Sequence, residues 1–342
     1  MRRHGWIGLG LIAVAWPLNG SLTGLRTHLL FFPLWLGYVL LVDGLVCLRT
    51  GTSTWTRSRS GFARLFLASM PAWWIFELAN LRLSNWEYLG REHFSDLAYF
   101  LLCSLSFSTV MPAVFVTSEL VRSFRFVERF AGGPRLAPSR RGLATIFATG
   151  LVMTASMIVW PRFGYPLLWV SGVFLLEPLC RWSGRRSLTS DLARGDWRPW
   201  ISLWGGALSC GFFWELWNVF SYPKWTYHVP GVDFLHVFEM PLLGYLGYLP
   251  FSLELYLLAQ LLVPGSGEPS LAPRPARPGG LTPPGGGGSE DPVRGCPGHG
   301  TRASPGGAST SPAPRPPGSG NEPLACLCPE PGPQVGRRTP TP

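Results

Sequence analysis

The chain has 342 residues, of which 46% are hydrophobic and only 14% are charged. Because a soluble domain carries nearer a quarter charged residues, this composition excludes an ordinary soluble protein and indicates a membrane protein. The net charge of +10 would fit a nucleic-acid-binding protein, but the distribution of the basic residues along the chain argues against that class.

Eight apolar runs predict transmembrane helices, because runs of about 17–25 residues span the hydrocarbon core of a bilayer. They lie at about 5–20, 29–48, 63–81, 95–118, 142–160, 164–180, 199–220 and 234–262. Two arginines precede the first run, as in a signal peptide, but Trp16 and Pro17 stand where a cleavage site would need small residues. We therefore expect the first run to remain as a helix.

The basic residues alternate between the loops of this predicted bundle. The N-terminus and the loops after the second, fourth and sixth helices hold seventeen Arg and Lys residues. The alternate loops hold five, namely Arg26, Arg82, Arg91, Arg162 and Lys224. This positive-inside bias predicts a multi-pass protein of the bacterial inner membrane with both termini in the cytoplasm. Topology thereby explains the basic charge, and we expect no nucleic-acid partner.

The third and seventh apolar runs end in versions of one segment. Each has a glutamate three residues before an asparagine, Glu77 with Asn80 and Glu215 with Asn218, followed by a Trp-x-Tyr sequence. Further pairs keep a similar offset along the chain: Trp86 and Trp225, Tyr88 and Tyr227, Pro33 and Pro166, Asp43 and Glu177, Pro112 and Pro250. Such self-similarity predicts two parallel four-helix repeats, at 1–128 and 142–263, joined by a basic cytoplasmic linker, 129–141.

From Pro264 the composition changes to Gly, Pro and Ser, which predicts a disordered C-terminal tail over 264–342. Four of the seven cysteines lie in apolar runs and three in this tail, without the paired spacing of a metal site. The sequence also lacks the glycine motifs that bind phosphates or dinucleotides. We therefore expect no metal and no cofactor.

With the N-terminus inside, the two Glu–Asn pairs and the Trp-x-Tyr sequences are predicted to lie near the outer surface of the membrane. A residue spacing of three puts the acid and the amide on one helix face. A carboxylate in a membrane helix usually faces a bundle interior or a cavity, where it can act as a general acid. The alternative is that each pair only forms hydrogen bonds between helices.

Glu239 is predicted to lie in the outer part of the eighth helix, with His236 on the same helix face. The first copy has no acid at the equivalent position, which favours the second copy as the one that carries chemistry. The alternative is a packing kink at Pro241 beside an acid that reaches water. A further alternative is a metal site formed by His228, His236 and Glu239 with Glu215, which the i,i+3 spacing of His236 and Glu239 allows, but no HExxH-type sequence supports it.

The aromatic residues predicted at the outer membrane boundary also allow two interpretations. They are Trp16, Trp86, Tyr88, Trp160, Trp225 and Tyr227. Trp and Tyr anchor helices at membrane surfaces, but their ring faces also stabilise cations in a binding pocket.

Asp43 and Glu177 lie near the inner ends of the second and sixth helices. We expect both acids to extend toward the basic loops that contain Arg49 and Arg181.

The segment from Trp214 through Trp225 and Tyr227 to Glu239 resembles a family of uncharacterised bacterial multi-spanning membrane proteins. More distantly, it is similar to the membrane-integral lycopene cyclases, which have repeated helical units and a Trp-x-Tyr before a helix with proline and paired glutamates. That resemblance implies acid-catalysed cyclisation of a polyene without redox change. It covers at most residues 199–262, and Glu239 departs from the pattern by standing alone before its proline.

The sequence thus predicts an all-α membrane protein, with eight transmembrane helices as two parallel four-helix repeats and a disordered C-terminal tail. The leading functional hypothesis is a cofactor-independent enzyme of cyclase or isomerase type, acting on an isoprenoid-like or carotenoid-like substrate. Glu215 or Glu239 would be the general acid and Asn218 its orienting partner. The expected substrate-binding residues are Trp214, Trp225, Tyr227 and His236, with first-copy counterparts at Glu77, Asn80, Trp86 and Tyr88.

Two alternatives remain open at this point. One is a proton-coupled carrier or permease for small solutes, and the other is a non-catalytic membrane scaffold. The expected partner is a membrane lipid or a lipid-soluble small molecule, and the oligomeric state is left open.

Overall fold

The computed structural model describes residues 1–263, most of which are helical. The predicted disordered tail, 264–342, lies outside the described residues. The α-helices are α1 Arg3–Ser21, α2 Thr27–Thr50, α3 Thr54–Arg57, α4 Arg59–Leu83, α5 Asp96–Phe107, α6 Val110–Arg122, α7 Arg140–Val159, α8 Pro161–Gly164, α9 Leu168–Trp182, α10 Leu188–Leu192, α11 Arg198–Val219 and α12 Tyr248–Leu262. The strands are β1 Trp86–Leu89, β2 Lys224–Tyr227, β3 His236–Val237 and β4 Met240–Pro241.

Five helical stretches within the described residues are long and apolar enough to cross a membrane. They are Thr27–Thr50, Asp96–Arg122, Arg140–Val159, Pro161–Trp182 and Leu242–Leu262. The stretch that forms α7 leaves most of its length exposed, including Leu151, Val152 and Ile158. Large exposed apolar faces are rare on soluble monomers, so these helices indicate a membrane protein. The other three predicted spans correspond to α1, α4 and α11, which are 19, 25 and 22 residues long.

The prediction of one continuous helix over 234–262 is wrong in its first part. Residues 236–241 form a short hairpin of β3 and β4, followed by a 3₁₀ segment, Leu242–Gly247, and only then by α12. Pro241 has no backbone N–H and cannot continue a helix through this point. Glu239 therefore lies in the hairpin turn, and its spacing from His236 does not place the two on a helix face.

The connections between helices gather in two groups. In one group, His4 contacts Asp43 at 2.9 Å, Arg49 donates to Ser123 at 2.7 Å, and the amide of Gly133 donates to Gly195 at 2.8 Å. These contacts join the N-terminus with the loops after α2, α6 and α9. The linker predicted at 129–141 contains Gly133 and so belongs to this group.

The second group contains the remaining connections. The backbone N–H groups of Arg26 and Thr27 both donate to Tyr222 O at 3.0 Å, and the amide of His228 donates to Asn85 O at 2.7 Å. The Tyr165 hydroxyl donates to Pro230 O at 3.1 Å. These contacts join the connections after α1, α4 and α7 to the long segment between α11 and α12.

Asp43 and Glu177 bind short helices rather than the arginines expected from the sequence. Asp43 accepts hydrogen bonds from Ser53 Oγ at 2.6 Å and from the Trp55 amide at 3.1 Å, at the start of α3. Glu177 accepts from two amides at the start of α10, those of Leu188 at 2.9 Å and Thr189 at 3.0 Å. Both acids are buried, so neither extends into water. Free N–H groups at a helix start favour a carboxylate there.

Glycines allow the helices to pack closely around the aromatic core. A Cβ atom at Gly8 would lie 2.5 Å from Gly37 O, which fixes the close crossing of α1 and α2. A Cβ at Gly206 would lie 2.2 Å from Ser118 Oγ, between α11 and α6. Membrane helices use small residues in this way to bring their backbones together. Beside these crossings, Trp35 is fully buried and packs with its ring centre 4.9 Å from that of Trp217.

Candidate functional site

Strands β1 and β2 form a two-stranded antiparallel ribbon that joins the two Trp-x-Tyr sequences. Trp86 lies opposite Tyr227, and Tyr88 lies opposite Trp225. The ribbon packs at the ends of α4 and α11, the helices that carry Glu77 and Glu215. No sequence pattern predicts this pairing, since two strands of four residues each are separated by more than 130 residues of chain.

The two asparagines fasten this ribbon to its helices. The Asn218 side chain donates to Trp225 O at 2.7 Å and accepts from the Trp225 amide at 2.9 Å. Asn80 makes the same pair of bonds with Trp86, at 2.7 and 3.3 Å. Asn218 was expected to orient the Glu215 carboxylate, but the hydrogen bonds of its side chain in the described structure go to Trp225. Its amide nitrogen and its amide oxygen each bond the backbone of the strand, and through that strand Asn218 positions Tyr227.

Glu215 is completely buried and accepts hydrogen bonds from two tyrosines. Its Oε1 accepts from the hydroxyls of Tyr227 at 2.7 Å and Tyr248 at 2.9 Å. Trp225 Nε1 donates to the Tyr227 hydroxyl at 2.7 Å and so fixes the direction of that group. Glu215 Oε2 is buried and has no hydrogen-bond partner among residues 1–263.

Glu77 is only partly buried, and it accepts three hydrogen bonds on one oxygen. The donors to Oε1 are Tyr88 Oη at 2.6 Å, Trp73 Nε1 at 2.8 Å and Trp86 Nε1 at 3.2 Å. Both glutamates therefore bind the tyrosine of the Trp-x-Tyr sequence that follows them. They differ in that the indoles bind Glu77 directly, whereas Trp225 binds Glu215 through Tyr227.

A cavity of about 490 Å³ lies in front of these acids. Fourteen of its thirty-four lining residues are aromatic: Phe31, Trp73, Trp86, Tyr88, Phe94, Tyr99, Phe107, Tyr165, Trp169, Trp214, Trp225, Tyr227, Tyr248 and Phe251. Glu77 and Glu215 do not line it, but all three tyrosines that donate to them do. A volume of this size suits a drug-sized or lipid-tail ligand.

The strand tyrosines remain protonated in this setting. Burial raises the pKa of Tyr88 and of Tyr227 well above its ordinary value, and the neighbouring glutamate of each raises it further. Each hydroxyl is therefore held as a donor. Each tyrosine thus belongs both to the cavity wall and to a hydrogen bond with the glutamate of its own half of the chain.

Glu239 and His236 do not take the positions predicted for them. Glu239 forms an ion pair with Lys224, and His236 is exposed and contacts Asp233 at 2.9 Å. Neither lines the cavity, whereas Trp214, Trp225 and Tyr227 do. Across the described part of the chain, no group of three or more His, Cys, Asp or Glu side chains is arranged to hold a metal ion.

Sequence reasoning missed three residues of the site region. Tyr248 is a direct partner of Glu215, and Trp169 and Phe251 lie in the cavity wall. It also missed Glu254, a buried acid on α12 whose Oε2 has no hydrogen-bond partner within residues 1–263. A signal for Glu254 existed, since it is the sole charged residue in the apolar run 242–262. Tyr248 had no such signal, because its role depends on contact with another helix.

No protein-family model, no curated protein and no solved structure matches this chain.

Proposed function

We propose that the chain is a multi-pass protein of the bacterial inner membrane with eight spans, arranged as two four-helix repeats with both termini in the cytoplasm. The two groups of connections support an even number of crossings, because they separate the loops in strict alternation. The group that contains the N-terminus also contains the arginine-rich loops, as a cytoplasmic face would. Equivalent bonds made by Asn80 and Asn218 support the repeat, as does the crossed pairing of Trp86 with Tyr227.

We further propose that the cavity binds a lipid-soluble substrate of isoprenoid or carotenoid type and that Glu215 exchanges a proton with it. One observation carries this proposal: the cavity wall contains three tyrosines, and each donates its hydroxyl to a glutamate behind the wall, two of them to the buried Glu215 and one to the partly buried Glu77. Aromatic and apolar side chains give such a ligand a favourable environment. The tyrosine hydroxyls supply a hydrogen-bonded path between the ligand and the acids behind the wall.

The proposed reaction needs no cofactor and no change of oxidation state. When Glu215 is protonated on Oε1, the carboxyl group donates to the hydroxyl of Tyr227 or Tyr248, and that hydroxyl turns its own proton toward the cavity. The hydroxyl then gives this proton to an alkene carbon of the substrate as it takes the proton of Glu215. The resulting carbocation forms a new carbon–carbon bond with a second double bond or rearranges, and nearby rings such as Trp225 stabilise the charge. Loss of a proton from a neighbouring carbon through the same path restores a double bond and protonates Glu215 again.

The test is lipid extraction from cells that express the wild-type chain or its variants, followed by separation of the lipid and pigment fractions. Glu215→Gln should reduce product formation about 100-fold or more, since a positioned general acid contributes about 10²–10⁴-fold. Tyr227→Phe should also reduce it. Glu254→Gln is the matched control, because Glu254 is also buried but, unlike Glu215, makes no hydrogen bond with a tyrosine of the cavity wall in the described structure. An unchanged lipid profile for both Glu215→Gln and Tyr227→Phe would refute the enzymatic proposal.

Glu254 supports a second candidate, a proton-coupled carrier. Its carboxylate lies against Gly172 of α9, where a Cβ atom would overlap it, and Glu177 follows five residues later on the same helix. Glu254 thus interrupts the stretch of apolar side chains between Glu215 and Glu177. Acids inside a membrane often form proton relays. The carrier proposal predicts that Glu254→Gln abolishes flux driven by a pH gradient in proteoliposomes. If Glu254→Gln and Glu215→Gln lower only thermal stability, the scaffold interpretation is favoured.

A further inference from the structure

The charged residues of the cavity wall are all cations. Arg91 and Lys224 line the cavity, whereas none of the described lining residues is an Asp or a Glu. The acids that pair with these cations, Asp96 and Glu239, lie outside the wall. In each ion pair, it is therefore the cation and not the acid that lines the cavity.

The two cations lie at the same end of the β1–β2 ribbon. Lys224 pairs with Leu89 in the strand register, and Arg91 follows Leu89 by two residues. Gly90 packs against Pro223, since a Cβ atom at Gly90 would lie 3.1 Å from Pro223 Cβ. The remaining wall is mostly apolar, so the charge is confined to one end of the cavity.

His28 adds a third polar group at this end. It lines the cavity, and its Nδ1 is buried without a hydrogen-bond partner among the described residues. Its neighbour Thr27 is bonded to Tyr222, through Tyr222 O at 3.0 Å and the Tyr222 amide at 2.8 Å. Because Tyr222 precedes Pro223 and Lys224, this connection brings His28 to the end of the cavity that holds the two cations.

We propose that the substrate of this cavity is an isoprenoid that carries a phosphate headgroup, with the phosphate bound by Arg91, Lys224 and His28. This inference rests on the proposed function and specifies its substrate class. An arginine fork and a lysine ammonium together match the charge and oxygen geometry of a phosphate. The apolar wall then holds the chain, and the double bonds lie against the aromatic rings near Tyr88 and Tyr227. The headgroup anchors the substrate and takes no part in the proton transfer.

The experiment measures binding to the purified full-length protein in detergent through its tryptophan fluorescence, since Trp73, Trp86, Trp169, Trp214 and Trp225 line the cavity. The three probes are geranylgeranyl phosphate, geranylgeraniol and inorganic phosphate. We expect the phosphate ester to bind at least about tenfold more tightly than the alcohol, because one charge-assisted hydrogen bond contributes about that factor or more. Added salt should reduce this preference.

Two variants identify the cations responsible. Lys224→Gln combined with Glu239→Gln removes the ion pair without leaving an unpaired acid, and Arg91→Gln removes the other cation. Each should reduce the preference for the phosphate ester severalfold while the alcohol still binds. Arg82→Gln is the control, because Arg82 is exposed in the last turn of α4, outside the cavity, and it should keep the wild-type preference.

Equal affinity for the ester and the alcohol would overturn the headgroup inference and leave the proposed lipid-binding function intact. Inorganic phosphate that binds as tightly as the ester would also overturn it, because the site would then recognise a free anion. A preference that survives in both cation variants would show that other residues bind the phosphate. If neither amphiphile binds, the proposed function fails together with this inference.

Discussion

Replacing Asn218 tests whether this residue positions strand β2 or orients the Glu215 carboxylate. Its side chain makes two hydrogen bonds, both to the backbone of Trp225, and it is 1% exposed. Asn218→Ala removes both bonds and leaves a backbone N–H and a carbonyl without these partners. At about 0.5–1.5 kcal/mol for each net hydrogen bond, we expect a loss of about 1–3 kcal/mol of stability. For a chain of this size, that corresponds to a decrease in Tm of about 2–12 °C.

The assay combines thermal unfolding in detergent with amide hydrogen exchange. The Trp225 amide donates to Asn218 in the folded protein, so its exchange should accelerate selectively in Asn218→Ala. Asn80→Ala should produce the same selective effect at Trp86, which makes it a matched comparison in the first half of the chain. The strand-positioning role would be refuted if Asn218→Ala kept its Tm and the Trp225 protection but lost activity. That result would restore the interpretation of Asn218 as a partner of Glu215.

Two further predictions concern helix packing and acid stability. Gly206→Ala should destabilise the protein by about 1–3 kcal/mol, because its new Cβ atom would lie 2.7 Å from the backbone nitrogen of Ser118. Gly10→Ala is the control: a Cβ atom there meets open space, so the variant should not lower the Tm in the same thermal-unfolding assay. Hydrogen bonds from Arg122, and then from Arg198, lower the pKa of Glu128 below its ordinary value of 4.5. A carboxyl group with a lowered folded-state pKa contributes stability above its unfolded pKa and loses it as pH falls through the folded value. As the pH is lowered from about 4.5, the Tm of the wild-type protein should therefore decrease. The share of this decrease that comes from protonation of Glu128 should be absent in Glu128→Gln.

Hydropathy was sufficient to predict the helical class and most helix positions, because the length of an apolar run directly reflects the thickness of a membrane. The expected runs at 29–48 and 199–220 agree with α2 and α11 to within a few residues. Hydropathy failed at 234–241, where apolar residues form a hairpin that contains Pro241. Composition alone does not distinguish such a hairpin from the start of a helix.

The composition of the site could be predicted only in part. Glu215, Trp225 and Tyr227 stood out because the sequence motif occurs twice, and the structure brings them together. The cavity itself depends on contacts between helices distant in sequence, such as the stacking of Trp169 on Phe76 with ring centres 5.5 Å apart. Hydrophobic periodicity describes one element at a time and carries no information on such pairs.

Glu77 and Glu215 have similar hydrogen-bond partners but differ in the free-energy cost of their burial. This difference favours Glu215 as the reactive acid. Glu77 is partly exposed, and three donors converge on its Oε1, so its environment resembles a satisfied structural contact. Glu215 is 0% exposed, and its Oε2 is buried without a partner in the described structure. A buried polar atom that lacks a hydrogen bond costs about 1–3 kcal/mol, so its presence calls for an explanation beyond stability. A reactive role for the carboxyl group, whose Oε1 leads to the cavity through Tyr227 and Tyr248, is such an explanation, and Glu77 has no equivalent need.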